Sequence, residues 1–172
     1  MLMAFWEVQR LTREINELEL QAMQTRRRLS NYQKYAGMLG GSESRISAIN
    51  IAGMSAELLP RATLFAQYAN QSSLNSAVQN MQLYKLMGMM PWTGNPATQN
   101  MLEMSAFNRF REESMKALKQ QEIRVLNEKE KEIELEMNEI EQRIKSKRAM
   151  LESAKQLAAK EAQDNAPRFG LG

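Results

Sequence analysis

The sequence predicts an all-α protein: a long antiparallel coiled-coil helical hairpin, or stalk, with a small helical head inserted between its two helices. Three observations carry this. Apolar residues recur alternately every four and three positions in both the N-terminal and the C-terminal part of the chain. The two apolar ladders match each other when laid antiparallel. Glycine and proline gather at a few places between the ladders and leave the rest free for helix.

The first ladder reads Ala4, Val8, Leu11, Ile15, Leu18, Ala22, Thr25, Leu29, Tyr32, Ala36 and Leu39. Only Thr25 is neither apolar nor aromatic. Residues 2–38 are therefore expected as one helix about 55 Å long, stopped by Gly37, Gly40 and Gly41. Ser42 is placed to cap a second helix through about Leu59, where Pro60 forces a boundary. A third helix is expected over Arg61–Leu86, with an apolar face of Leu64, Phe65, Tyr68, Leu74, Val78, Met81 and Tyr84 and an outer side of Asn, Gln and Ser. Residues 88–96, GMMPWTGNP, hold two glycines and two prolines and are expected as a loop. A last helix is expected from about Ala97 to Gln163, on the order of 100 Å if unbroken. It carries the second ladder, Ile123, Leu126, Glu130, Ile133, Met137, Ile140, Ile144, Lys147, Leu151, Ala154 and Ala158.

In an antiparallel pair the numbers of facing residues have a constant sum, and a sum of 162 overlaps the ladders completely. Leu11 then meets Leu151, Leu18 meets Ile144, Leu29 meets Ile133 and Leu39 meets Ile123. The two polar ladder positions act as register-setting residues: Glu130 falls opposite Tyr32, whose hydroxyl is a hydrogen-bond donor, and Lys147 falls among Ile15, Glu14 and Glu17. The expected organisation is a stalk of residues 1–39 and 123–163, a head of 40–122 with a Met, Pro and Gly-rich loop at 87–96, and a C-terminal tail of 164–172.

Composition narrows the function. The net charge is +3, and the chain has no His and no Cys. Disulfides, thiolate metal sites and the usual zinc and haem ligation are thereby excluded, and no cofactor is expected. Basic and acidic residues number six and four over 1–41, three and two over 42–100, and fourteen each over 101–172. This balance marks no nucleic-acid partner. Arg26, Arg27 and Arg28 face the acidic run around Glu132–Glu136 in the proposed register, and the dense carboxylates of Glu128–Glu141 alternate with Lys129 and Lys131 as a salt-bridged helix surface. No glycine-rich phosphate loop follows a strand, and no nucleophile and base can be assembled from the motifs, so an enzyme is not expected. The opening MLMAFW lacks a basic lead and is interrupted by Glu7, so neither a cleavable signal peptide nor a membrane span is expected. A cytoplasmic location, export by a route without a signal peptide, or residence in a particle all fit.

Fourteen methionines stand out, several of them near Trp92. Met87, Met89, Met90 and Trp92 are either an adaptable core capping the head or an apolar contact surface. Phe5 and Trp6 at the start of the chain, with Phe169 in the tail, either close the open end of the hairpin or insert into a neighbouring subunit. The sequence thus reads as a structural, self-assembling subunit of a larger filament-like, secreted or virion-type assembly, whose main partner is a copy of itself. Filament subunits of the flagellin and type III secretion kind are similar in overall plan, through no shared motif. One alternative is a coiled-coil adaptor gripping an amphipathic partner helix through the Met-rich head. Another is a helical protein bound at a membrane surface, less favoured because the head segments are short and polar.

Overall fold

The computed structural model describes residues 2–41 and 54–164, with side chains from Phe5 through Gln163 within these. The described residues are all-α: α1 spans Leu2–Gly40, α2 Leu59–Leu86 and α3 Pro96–Asp164. They divide into two compact units, one of residues up to Ser30 with those from Lys131 onward, the other of Asn31–Glu130.

The helix boundaries follow local chemistry. Gly37 lies inside α1 rather than ending it, in open space and with ordinary helical backbone. The expected second helix over 42–59 differs in its described part: residues 56–58 form a turn, and Leu59 already belongs to α2. Its expected start at Ser42 lies outside the described residues. Pro60 occupies the first turn of α2, where its missing N–H has no bond to make. α3 begins at Pro96, and Asn95 caps it, its Oδ1 accepting from the Ala97 N–H at 2.9 Å.

Every described ladder position is buried or half-buried, from Val8 to Leu39 on α1 and from Ile123 to Ala158 on α3. In the first unit Ala22, Ile140 and Ile144 form a buried cluster against which Leu18 packs. Ion pairs link the same helices: Glu14 with Lys147 at 2.6 Å, Glu19 with Arg148 at 2.6 Å, Arg26 with Glu141 at 2.9 Å and Arg28 with Glu136 at 3.3 Å. All are substantially exposed, so solvent screening leaves each contributing little to stability.

The second unit has its own core, in which Tyr35, Leu39, Leu58, Ala62 and Leu126 are buried and Tyr32, Ala36, Met54, Phe65 and Ile123 pack against them. α2 buries or half-buries only part of the apolar face its sequence advertises, Phe65, Leu74, Met81 and Tyr84. Leu64, Tyr68 and Val78 are exposed, while Ala62, Ala66, Ala69, Ser73, Ala77 and Met81 are buried. The physical reason is distance: a stripe of Ala and Ser lets helix axes approach closely, and a Leu or Tyr face would hold them apart. Ser73 meets its own needs, since its hydroxyl donates to the Asn70 carbonyl at 3.0 Å. Two ion pairs join α2 to α3, Arg61 to Glu122 at 2.7 Å near its start and Lys85 to Glu103 at 2.5 Å near its end.

Candidate functional site: an exposed apolar turn

The turn between α2 and α3 is built by specific hydrogen bonds. The Gly88 N–H donates to the Lys85 carbonyl at 3.1 Å and the Met89 N–H to the Tyr84 carbonyl at 3.1 Å, the paired closure of a Schellman motif. Gly88 stands at φ 66°, a conformation that excludes most side chains, and Gly94 at φ 70° repeats the demand before the Asn95 cap. Thr93 Oγ1 donates to the Asn95 carbonyl at 3.1 Å. The Tyr84 and Phe110 rings meet edge to face, with centroids 5.7 Å apart, and tie the turn to α3.

On this ordered frame the apolar residues face outward. Trp92 is 79% exposed and Leu86 83%, and Met87, Met89, Met101 and Met104 are all more than half exposed. Met90 alone of the turn methionines is half-buried. Between Lys85 and Glu103 the chain carries no charge. Burying a Trp side chain of this exposure contributes about 3–5 kcal/mol at the usual yield per unit of apolar area. Preorganised aromatic anchors of this kind carry much of the binding energy at protein interfaces.

Phe5 and Trp6 are likewise exposed, at 60% and 70%, and Trp6 edges a shallow groove with Gln9, Arg10, Arg13, Glu14 and Glu17. Phe169 lies outside the described residues. Of the register residues, Lys147 is brought to Glu14, and its hydrogen bond holds the Glu14 carboxyl below the usual carboxylate value. Tyr32 packs its ring on the second unit's core, and Glu130 keeps carboxylate oxygen Oε1 buried.

Comparison of the chain with protein-family models, curated proteins and solved structures found no match.

One polar group in the second unit escaped the sequence reading. Tyr35 is 2% exposed, and its hydroxyl is buried without a hydrogen-bond partner among the described residues. Burial, reinforced by the nearby Glu122 charge, pushes its ionisation well above the ordinary tyrosine range. Arg61 beside it is held more firmly protonated by its bond to Glu122. The signal was present in the spacing of Tyr32, Tyr35, Ala36 and Leu39, which broadens the apolar stripe of α1 beyond a two-helix seam. Among the described residues no group of three or more carboxylates is placed to hold a metal ion, and no helix is long and apolar enough to cross a membrane.

Proposed function

We propose that this chain is a structural subunit that assembles with copies of itself, and that the Trp92 turn is a principal contact surface. The observation that carries the reading is that an uncharged turn fixed by its own hydrogen bonds presents Trp92, Met87 and Met89 to solvent, with Leu86, Met101 and Met104 exposed on the helices that flank it. A turn filling the core of a monomer would bury them. The Schellman closure at Gly88 and the Asn95 cap are ordinary helix ends, and they fix the backbone on which Trp92 stands exposed.

In this reading residues 1–39 and 123–163 form the stalk, an antiparallel coiled-coil hairpin in the register of sum 162, and residues 40–122 form the head. Support comes from each unit separately. Leu18 with Ile144 and Ala22 with Ile140 share one cluster, and Ala36 with Leu126 and Leu39 with Ile123 share the other. Each pair sums to 162. The ion pairs run from Glu14 with Lys147 and Glu19 with Arg148 to Arg26 with Glu141 and Arg28 with Glu136, the antiparallel sense. The hairpin's role is to present contact surfaces, and no catalytic role is assigned to its carboxylates.

The adaptor reading draws on one specific observation: Met101 and Met104 line a shallow groove on α3 with Ser105, Asn108, Arg109 and Glu112, adaptable side chains suited to an amphipathic helix. Light scattering and negative-stain imaging across a concentration series separate the two. Particles that grow with concentration and are lost on Trp92→Ala support self-assembly. A species of constant mass at every concentration overturns it in favour of the adaptor.

A further inference from the structure

With its small residues turned inward, α2 presents a second stripe outward: Leu64, Tyr68, Gln71, Asn75, Val78 and Gln82, all exposed. Their spacing of four, three, four, three and four is that of a coiled-coil seam, here facing away from the chain's own core. The stripe carries no charge, and from Ala62 to Tyr84 neither does the rest of the helix. The cations that bracket it, Arg61 and Lys85, are each held by a carboxylate of their own unit, Glu122 and Glu103. Loss of charge together with retained aromatic and aliphatic residues is the composition of an interface centre.

Charge complementarity restricts what covers this face. A charged partner surface would be stripped of water against groups that offer it no counter-charge. The partner must itself be uncharged over a helix of similar length, and the stripe itself meets that requirement. It is also self-complementary. Laid antiparallel with numbers summing to 146, Leu64 meets Gln82, Tyr68 meets Val78 and Gln71 meets Asn75. Each layer pairs a larger with a smaller side chain, so the layers fill evenly. The carboxamides meet near the centre, where each brings both donors and an acceptor. A parallel arrangement would instead stack Tyr68 on Tyr68 and Val78 on Val78, with uneven layers.

We propose that the outward face of α2 is where two copies of this chain pair, antiparallel, about a two-fold axis at the level of Ser73. The proposal rests on the self-association reading but assigns it a surface separate from the Trp92 turn.

The absence of cysteine makes the test clean. Gln71→Cys and Asn75→Cys alter exposed positions, and disulfide closure requires Cα atoms within about 7 Å. Under mild oxidation an equal mixture of the two single variants should cross-link 71 to 75 roughly tenfold faster than either variant cross-links to itself. Same-position dimers in preference, or no cross-link where light scattering shows associated chains, overturn the proposal. Tyr68→Glu with Val78→Glu supplies the complementary readout: circular dichroism unchanged, because both sites are exposed, and the pairing lost. Particles abolished by Trp92→Ala but indifferent to the α2 variants would refute this face and leave self-assembly standing. Dimers lost with the α2 variants, with no larger particle at any concentration, would support the face and refute the larger assembly. A monomer at every concentration refutes both.

Discussion

Exchanging the roles of two positions on α2 tests which side of that helix is the inside. Ala69 is 0% exposed and Leu64 is 66% exposed. Replacing Ala69 by Leu adds three carbon atoms where none fits, and overpacking of this kind costs about 1–3 kcal/mol. The upper half of that range is expected, because the close approach of the small-residue stripe leaves the added carbons no slack. Replacing Leu64 by Ala removes a side chain only about a third of which is buried, so about a third of the usual 1.5–3 kcal/mol is at stake. The better helix propensity of Ala returns a few tenths, leaving about 0.5 kcal/mol. The assay is urea unfolding followed by circular dichroism at low protein concentration, with stability compared through the midpoint at unchanged slope. In thermal unfolding Ala69→Leu should lower Tm by roughly 4–10 °C and Leu64→Ala by about 1–2 °C. Near-wild-type stability for Ala69→Leu together with a loss above about 2 kcal/mol for Leu64→Ala would refute the orientation of α2.

Leu126→Ala empties the centre of the second unit's core, where Leu126 is fully buried, and should cost about 2–5 kcal/mol in the same denaturation assay. Tyr35→Phe removes a buried hydroxyl that has no partner among the described residues, so stability at neutral pH should hold or rise by about 1 kcal/mol. The raised ionisation of Tyr35 also fixes a sign: it leaves stability unchanged below the ordinary value of 10.0 and lowers it as pH rises above that, because the unfolded chain ionises first, so Tyr35→Phe should lessen the alkaline loss in a pH-dependent melt. Gly37→Ala, in open space within α1, should stabilise by about 0.5–1 kcal/mol, read as an upward shift in Tm. Glu14 is held below its ordinary value of 4.5 by Lys147, so the pair's contribution is present above that pH and fades as pH falls through the lowered value; Lys147→Met should flatten that acid limb of the stability profile.

The sequence revealed the helical class and the ladders because a period of three and a half is imposed by helix geometry and by nothing else in the chain. From Val8 on, each described ladder residue, including the polar Thr25, Glu130 and Lys147, is buried or half-buried. The inner face of α2 was not legible for an energetic reason. Hydrophobicity ranks Leu64 and Tyr68 above Ala66 and Ala69, but close packing rewards the smaller pair, and composition alone does not say which consideration wins. Tyr35 was missed because a two-helix seam has no position for it; it becomes internal only beside Leu58 and Ala62. For the Met-rich turn, spacing left buried core and contact surface both open, and their exposure places Met87, Met89 and Trp92 outside the core.

The small-residue stripe has a mechanical corollary. Ala62, Ala66, Ala69 and Ala77 raise no tall ridges, and the Ser73 hydroxyl is satisfied within its own helix, so this side of α2 offers little resistance to displacement along its axis. Axial position then falls to contacts toward its two ends: Phe65 and the Arg61–Glu122 pair at one, and buried Met81, the Tyr84–Phe110 ring contact and the Lys85–Glu103 pair at the other. The Trp92 turn follows directly on the second group, so the side chains that hold α2 against sliding also fix where the anchor projects.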